Sequence, residues 1–380
     1  MNVLHINSNY LTSKLHENLI DKTETEELHN TIFMPIKEES KKDFLYQSKH
    51  DIYYPVAFND IDKYIFSYKQ KKIYNKLKEI LTLDNYDVVH AHTLFTDGNV
   101  ALKLFEEYNI PYVVTVRGFT DIEGFFKLRI NLRNRGRKIL ANAQKVIFLS
   151  ELNRKQLLEQ YIPSKSLQKD ILNKSVILPN GIDDFWFTNE GTPKKIRNKE
   201  SINFIQVGKI YKRKNILGSI AGIKDYDNKN SSKSTLTVVG GIEDKKYADK
   251  IKEETELEVQ LVQQKSREEL IQLYRNSDIF IMPSFQETFG LVYPEAMSQG
   301  LPVLYSKGQG FDNQFPDGEV GYAVDAENPQ DIAHKISLII KNYEEISKRS
   351  IEKYKEFNWD ILSKHYVEIY RNLLKLQITC

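Results

Sequence analysis

Residues 284–304 read SFQETFGLVYPEAMSQGLPVL, and this stretch decides the fold. Residues 278–283 and 301–305 flank it as short apolar runs, each typical of a buried parallel strand. The residues after Gly290 favour a helix, and Gly300 is a natural terminator for it. The pattern predicts a strand, a glycine turn, a helix and a second strand, as in a βαβ unit of an α/β protein.

Two carboxylates in this stretch point to a nucleotide-sugar pocket. Glu287 lies in the predicted loop after the strand and suits the hydroxyls of a sugar. Glu295 lies about one turn into the helix and suits a ribose diol, because one carboxylate can accept from two vicinal hydroxyls. A helix start carries partial positive charge, so we expect the backbone amides of Phe289, Gly290 and Leu291 to hold a phosphate. The acidic pair alone leaves a purely structural role open.

A second run supplies the opposite charge. Residues 202–207 are strand-like, end at Gly208 and are followed by Lys209 and Lys214. In open α/β sheets, ligands bind outside the carboxyl ends of the strands. Two ammonium groups there could neutralise the charge that builds on a departing nucleoside diphosphate. Other cations in the same run favour a solvated surface, so that alternative stays open from this run alone.

The order of these motifs resembles that of the retaining glycosyltransferase family numbered four. In the C-terminal half, the resemblance rests on the two lysines, residues 236–241, the two glutamates and the end of the helix after them. In the N-terminal half, it rests on strand ends in the same order, at residues 87–92, 111–118, 146–151 and 176–183. The ordered set spans nearly the whole chain and is more specific than any single motif.

The resemblance implies a GT-B fold, with two Rossmann-like α/β domains that face each other across a cleft. Independently, 380 residues exceed what one hydrophobic core usually serves. We expect an N-terminal acceptor-side domain over residues 1–184 and a nucleotide-sugar-binding domain over residues 185–358. A C-terminal helix over residues 359–380 should return to the first domain, and the polar residues 188–200 should form the linker.

The same resemblance implies transfer of a hexosyl-type sugar from a nucleoside diphosphate to an acceptor hydroxyl, with retention of configuration and no metal or other cofactor. It favours uracil over guanine as the donor base. The residues that it assigns to catalysis are Glu287, Lys209 and Lys214. Those that it assigns to the donor are Glu295, Phe289, Gly290, Leu291 and Gly208. Those on the acceptor side are Arg117, His92 and Asn9.

Two positions depart from the family pattern. Many members have a glycine pair in the first loop, whereas residues 7–13 here read NSNYLTS. These serine and asparagine side chains can hydrogen-bond a phosphate, but the backbone lacks the glycines that allow its closest approach. Arg117 stands where many relatives have a histidine that faces the reacting centre. Since an arginine is no general base at neutral pH, we expect Arg117 to hold a phosphate or another anionic acceptor group.

Composition narrows the class of protein. The single cysteine, Cys380, excludes intramolecular disulfides and fits a reducing cytoplasm. No apolar run approaches the roughly 20 residues that span a bilayer. A net charge of +2 argues against nucleic-acid binding. His90 and His92 could ligate a metal, but with no third ligand nearby in the sequence a hydrogen-bonded role is favoured. We expect a soluble cytoplasmic protein without a metal.

Residues 127–138 carry an uneven charge, with several cations, no acidic residue and interleaved apolar side chains. This composition suits an anionic membrane surface, and an amphipathic helix with a solvated basic face is the alternative. Peripheral membrane contact would fit a lipid-linked acceptor, rather than a soluble glycan, in the assembly of bacterial surface polysaccharide, capsule or glycolipid. The six cations are Lys127, Arg129, Arg133, Arg135, Arg137 and Lys138.

Two other functions remain open from the sequence. A nucleotide-sugar epimerase on the same fold would use the same pocket without an acceptor, and product analysis without acceptor would reveal it. A catalytically silent protein would bind the nucleotide sugar without hydrolysing or transferring it. Both glutamates and both lysines are present, which favours the transferase.

Overall fold

A computed structural model describes residues 1–12, 14–38, 50–196, 198–254 and 256–378 of the chain. The chain forms two compact units, Met1–Pro179 together with Trp359–Cys380, and Asn180–Asn358. Each contains a parallel β-sheet and α-helices, as predicted. Ser13 of the predicted first loop, Arg197 of the predicted linker and Cys380 lie outside the described residues.

The first unit contains a large parallel sheet and a small one. Their strands are β1 (Asn2–Ile6), β2 (His29–Phe33), β3 (Ile36–Lys37), β4 (Asp51–Tyr53), β5 (Val56–Phe58), β6 (Val88–Ala91), β7 (Tyr112–Val116), β8 (Lys145–Phe148) and β9 (Ser175–Ile177). The large sheet has the order β4-β2-β1-β6-β7-β8-β9, and β3 pairs with β5. In this order, β2 and β4 lie on one side of β1, and β6 to β9 follow one another on the other side. The crevice between the ends of β1 and β6 is therefore the expected ligand position.

Alternating side chains of this sheet enter two separate cores, which explains why its central strands are apolar throughout. Leu4 and Ile6 of β1 pack in one core, whereas Val3 packs in the other. All five residues of β7 are buried, as in a strand that is covered on both faces. The helices along residues 1–179 are α1 (Lys14–Thr23), α2 (Phe66–Ile80), α3 (Thr96–Tyr108), α4 (Arg133–Asn142), α5 (Glu151–Tyr161) and α6 (Lys165–Asn173).

The second unit contains a six-stranded parallel sheet. Its strands are β10 (Asn203–Val207), β11 (Thr235–Val239), β12 (Glu258–Val262), β13 (Ile279–Met282), β14 (Val303–Ser306) and β15 (Gly321–Val324). Their order is β12-β11-β10-β13-β14-β15, so the direction of winding reverses between β10 and β13. Here too the two faces enter different cores, with Phe204 on one side and Ile205 on the other.

Four of the α-helices described in the second unit, α7, α9, α10 and α12, begin at a side-chain cap. Ser266 and Glu269 form a capping box at α10, and Asn328 accepts from two backbone amides ahead of α12. The short α11 lies between β13 and β14, where the sequence predicts a helix. The helices are α7 (Asp184–Thr188), α8 (Ile216–Asn230), α9 (Lys245–Lys252), α10 (Arg267–Asn276), α11 (Val292–Met297), α12 (Pro329–Lys341) and α13 (Tyr343–Lys353).

The division between the units differs from the predicted boundary at residue 184. Ile182 and Trp186 are buried in the core of the second unit, and the Ile182 amide donates to the Phe357 carbonyl over 2.9 Å. The predicted linker over residues 188–200 is wrong as well, because its first half is bonded into the same unit. The Lys194 ammonium donates to three carbonyl oxygens at the end of α10, and Gly191 donates to the Ser298 carbonyl.

The last helix, α14 (Trp359–Ile378), belongs to the first unit. One apolar stripe of α14 packs against the sheet side chains of Val3, Val88, Val113 and Ile147. Among the residues that the structure describes, no helix combines the length and the apolar character that crossing a bilayer requires. The buried stripe consists of Trp359, Leu362, Tyr366, Tyr370 and Leu373.

Candidate functional site

The strongest candidate site lies where the winding of the second sheet reverses. Lys214 follows β10 and Glu287 follows β13, and these two strands are neighbours. The Lys214 ammonium lies 2.5 Å from a Glu287 carboxylate oxygen. The two side chains are only 16% and 13% exposed, respectively. The structure thus brings together two of the three residues that the sequence assigns to catalysis, at the edge of the sheet where α/β proteins bind ligands.

Polar contacts of the neighbouring backbone hold Lys214 in place. The Gln206 side chain, on β10, donates to the Lys214 carbonyl over 2.7 Å. Asn215 adopts a left-handed conformation, with φ of 51°, and its side-chain Nδ2 donates to the Pro283 carbonyl over 2.9 Å. The loops after β10 and β13 are therefore joined by a hydrogen bond as well as by the ion pair.

A tight backbone contact fixes the loop that carries Glu287. The Glu287 amide donates to the Gln309 side chain over 2.8 Å, and the Glu287 carbonyl accepts from the Gly310 amide over 3.1 Å. A Cβ atom at Gly310 would lie 1.9 Å from the Thr288 carbonyl oxygen, so only glycine fits there. The sequence did not single out Gln309, because a loop after a different strand supplies it.

The predicted phosphate-binding amides lie between Glu287 and α11. Phe289 is buried in the core, and Gly290 has φ of 83°, which favours glycine. The Tyr293 hydroxyl donates to the Met282 carbonyl over 2.8 Å and so ties α11 to β13. Leu291 directly precedes α11, which has only six residues. On the other side of the site, Gly208 lies directly after β10 and beside the Lys214 side chain.

Glu295 lies on α11 in a half-buried position. Burial raises the pKa of Glu295 to about 8, while Arg267 opposes this shift and Asp183 reinforces it. Arg267 and Asp183 form an ion pair of 2.8 Å, so neither charge acts on Glu295 alone. A carboxyl group that is largely protonated at neutral pH can lose its proton when a ligand binds. The resulting carboxylate can then accept hydrogen bonds from the hydroxyls of that ligand.

Lys209 has different surroundings from Lys214. Its side chain is 68% exposed and pairs with Glu243, in the loop after β11. The short ion pair with Glu243 raises the pKa of Lys209 above its usual range. The structure therefore places Lys209 at the end of β10, as predicted, but pairs it with a carboxylate other than Glu287.

The acceptor-side residues follow three adjacent strands of the first unit. Asn9 lies in the loop after β1, His92 directly follows β6 and Arg117 directly follows β7. The Arg117 guanidinium donates through Nε to the His92 carbonyl over 2.9 Å, and the Asn9 amide donates to the Asn7 side chain over 3.1 Å. Arg117 is half-buried, which strengthens its attraction for an anion.

Two buried aspartates fix these loops, and the sequence analysis missed them both. Asp97 accepts from the amide and the hydroxyl of Ser8, whereas Asp121 accepts from the backbone amides of Arg117 and Leu94. Burial raises the pKa of Asp97 to about 6 and that of Asp121 to about 7. Their position close behind strand ends was visible in the sequence, but their burial was not.

Three buried histidines lie together beneath the acceptor side, which corrects the prediction that His90 and His92 lack a third neighbour. Ring nitrogens of His5, His90 and His92 lie within 4.8 Å of one another. His5 contacts His92 and Asn30 over 2.9 and 2.8 Å, and His90 contacts Tyr370 and Thr115 over 2.7 and 2.9 Å.

The surroundings of these imidazoles favour a hydrogen-bonded network. Burial lowers the pKa of His5 to about 4 and holds the pKa values of His90 and His92 well below their usual range. The rings are therefore neutral at pH 7. The His90 and His92 rings are stacked, with centroids 4.1 Å apart. His92 forms a hydrogen bond with His5, which is the kind of contact that the sequence analysis favoured for it.

The basic stretch over residues 127–138, for which the sequence left open a membrane contact or a solvated basic face, is only partly solvated. Three of its arginines turn toward the first unit and donate to neutral oxygen atoms: Arg133 to the Phe126 carbonyl, Arg135 to the Asn99 side chain and Arg137 to the Tyr161 carbonyl. Lys127 forms an ion pair with Glu123 of the same π-helical segment, and Lys138 forms one with Glu106 of α3.

Sequence comparison identifies two families along the chain. Residues 188–357 match the model of glycosyl transferases group 1, and residues 39–184 match the model of glycosyltransferase family 4. An uncharacterised glycosyltransferase of Methanocaldococcus jannaschii is 26% identical over 344 residues, which cover 90% of this chain and 88% of that protein. A D-inositol 3-phosphate glycosyltransferase of Paenarthrobacter aurescens is 23% identical, over 75% of this chain and 72% of that protein.

Structure comparison agrees with the fold. The Anabaena protein HepE, in a crystal structure with UDP, superposes with a TM-score of 0.72 over 98% of this chain and 100% of that one, at 15% identity. The two α/β units are therefore Rossmann-like units of the GT-B class. With two family models that together span most of the sequence, the chain belongs to glycosyltransferase family 4 and is a glycosyltransferase.

Proposed function

We propose that this enzyme transfers a hexosyl sugar from a UDP-sugar to an acceptor that carries a negative charge. The observation that carries the proposal is the Lys214–Glu287 pair at the point where the second sheet reverses. The uridine donor rests on solved relatives, among which HepE contains UDP. Retention of configuration and independence from metals enter the proposal from the family resemblance.

The ion pair suits a reaction in which charge builds on a leaving diphosphate. In the free enzyme, the Lys214 ammonium is neutralised by Glu287. When the donor binds, Lys214 turns to the diphosphate, and Glu287 accepts from the sugar hydroxyls. The bond from the anomeric carbon to the phosphate oxygen breaks, a bond to the acceptor oxygen forms, and the proton of the acceptor hydroxyl passes to the departing phosphate. Lys214 then stabilises the charge on the departing phosphate, the role that a metal ion fills in other transferases.

Arg117 supports an anionic acceptor. A half-buried guanidinium, held by the His92 carbonyl and flanked by loops that Asp97 and Asp121 fix, is a preorganised site for a phosphate or a carboxylate. The name of one relative specifies D-inositol 3-phosphate, an acceptor of that kind. A phosphate-bearing acceptor also includes lipid-linked glycans, so the proposal extends to the assembly of surface polysaccharide or glycolipid at a membrane.

Thermal unfolding with a panel of nucleotides tests the donor. We expect UDP and one UDP-sugar to stabilise the enzyme by about 2.7 kcal/mol at about 100 times their dissociation constants, with or without a chelator. GDP and ADP are the matched controls. Stabilisation by GDP alone would refute the uridine donor, and a response that the chelator abolishes would refute metal independence. Product analysis then separates transfer with retention from epimerisation without acceptor.

Replacement of Arg117 tests the acceptor. We expect Arg117→Gln to raise KM for a phosphorylated acceptor by about tenfold or more, because a charge-assisted hydrogen bond is lost. UDP-sugar binding should not change. Arg117→Lys keeps the charge but loses the guanidinium fork, so its KM should be intermediate. Equal losses toward a phosphorylated acceptor and its neutral analogue would show that Arg117 does not recognise the anion.

A further inference from the structure

An exposed apolar segment precedes α2. Ile61, Tyr64, Ile65 and Tyr68 are all exposed large side chains, and Tyr64 reaches 89% exposure. They lie in a short 3₁₀ helix, Ile61–Tyr64, and in the first turn of α2. Single apolar side chains are common on protein surfaces, whereas four within eight residues concentrate exposed apolar area in one short segment.

A second exposed apolar segment lies between β7 and α4. Phe119 is in the π-helical segment Gly118–Lys127, and Leu128 and Ile130 follow it. Leu128 is 74% exposed. The remainder of this segment points inward, where Ile122 and Phe126 are buried in the core. The segment is therefore held rigidly while these three apolar side chains project from it.

The two segments meet through one aromatic contact. The rings of Phe66 and Phe125 lie edge to face with their centroids 5.9 Å apart, and the Phe125 ring stacks on Phe95 at 4.5 Å. Phe66 directly follows Ile65, and Phe125 precedes Leu128 by three residues. The two exposed segments therefore adjoin at this contact, and we term their seven exposed side chains the apolar patch: Ile61, Tyr64, Ile65, Tyr68, Phe119, Leu128 and Ile130.

Positive charge surrounds the apolar patch. Within the ranges 59–72 and 118–138, the acidic side chains form ion pairs with lysines, except for Asp121, which is buried. The three arginines of α4 donate to neutral oxygen atoms and keep their full charge. The Arg129 guanidinium lies 4.8 Å from the centre of the Phe125 ring, at the patch itself, and Lys71 is exposed on α2.

We infer that the apolar patch inserts into the surface of an anionic membrane. Tyrosine and branched aliphatic side chains suit the boundary between headgroups and acyl chains, and the surrounding cations suit acidic headgroups. The assignment rests on the proposed function in its extension to lipid-linked acceptors. It adds the exposed apolar side chains of two segments to the membrane contact that the sequence predicts for residues 127–138.

Vesicle sedimentation with the full chain tests the assignment. The vesicles contain phosphatidylcholine with or without phosphatidylglycerol. We expect binding only to the phosphatidylglycerol vesicles. The variant Ile65→Ser/Leu128→Ser should lose binding by about tenfold or more, since each side chain contributes buried apolar area. Leu172→Ser/Ile361→Ser, which removes exposed apolar side chains elsewhere in the first unit, is the matched control and should bind like the parent.

Charge is tested separately by Lys71→Glu/Arg129→Glu, with the exposed Lys250→Glu of the second unit as control. The first variant should lose binding to phosphatidylglycerol vesicles, and added salt should weaken the parent in the same way. Parent protein that stays in the supernatant, or apolar variants that bind fully, would overturn the assignment. A parent dimer that the Ile65→Ser/Leu128→Ser variant converts to a monomer would assign the patch to a second copy instead.

Donor binding, measured by thermal unfolding without vesicles, keeps this test apart from the proposed function. An enzyme that binds UDP-sugar but no vesicles would refute the membrane contact alone. An enzyme that binds vesicles but no nucleotide would refute the proposed donor while leaving the membrane contact in place.

Discussion

Lys214→Ala and Glu287→Ala should each cut turnover by at least about two orders of magnitude, the size of effect seen when one preorganised charge is removed from a transition state. In the proposed mechanism, Lys214 balances the charge on the leaving diphosphate, so its loss should lower kcat more than it raises KM. Glu287 is proposed to orient the donor sugar in both the ground state and the transition state, so its loss should affect both constants. Steady-state kinetics with a saturating acceptor measures the two effects.

The pair also contributes to stability, and a loss of stability must be distinguished from a loss of turnover. Removing Lys214 leaves a nearly buried Glu287 carboxylate without its cation, which costs stability. Lys214→Ala/Glu287→Gln removes both charges and should unfold near the temperature of the parent, yet remain inactive. Lys212→Ala changes an exposed lysine of the same turn and is the matched control. Near-normal turnover in both single variants would refute the site.

Donor affinity should rise steeply with pH because of Glu295. Its pKa of about 8 in the free enzyme means that the carboxylate, which we propose to bind the ribose diol, is scarce at pH 6 and prevalent at pH 8.5. If only the ionised form accepts from both hydroxyls, the dissociation constant of the donor should fall between tenfold and a hundredfold over this range. Calorimetric titration with the stabilising UDP-sugar measures the constant, and the proton that Glu295 releases adds a signal that depends on the buffer.

The Glu295→Gln variant supplies the control for this prediction. It cannot ionise, so its donor affinity should be nearly independent of pH. The stability should change in the opposite sense. Because folding raises the pKa of Glu295 above that of the unfolded chain, the folded state loses stability as pH rises from about 4.3 through about 8. Glu295→Gln should therefore unfold at a higher temperature than the parent at pH 8.5, and a lower temperature would contradict the raised pKa.

The proximity of Lys214 and Glu287 could be predicted from the sequence because its signals are local. Each residue follows a short apolar run that forms a buried strand, and parallel strands end at the same edge of their sheet. The partners that hold them were not predictable. Gln309 and Asn215 act through backbone contacts across loops, and Glu243 reaches Lys209 from the end of a different strand.

The failures share a physical cause. The cations of residues 127–138 were interpreted from their charge, but the long arginine side chains found carbonyl oxygens inside the first unit. Residues 188–200 were interpreted as a linker from their polarity, but Lys194 satisfies the carbonyls at the end of α10. His5 was not considered beside His90 because the two strands are 85 residues apart in the chain, although they are paired in the sheet. The contacts of such residues depend on partners that are distant in the sequence, and composition does not reveal those partners.

The return of α14 to the first unit sets an order for synthesis. The chain begins the first unit, then makes all of Asn180–Asn358 before it reaches the helix that covers β1, β6 and β7. Until Leu373 leaves the ribosome, one apolar face of the first sheet lacks its cover, and His90 lacks the Tyr370 hydroxyl that it binds. The second unit is continuous in sequence and can fold as soon as it emerges. The unit that is begun first is thus completed last.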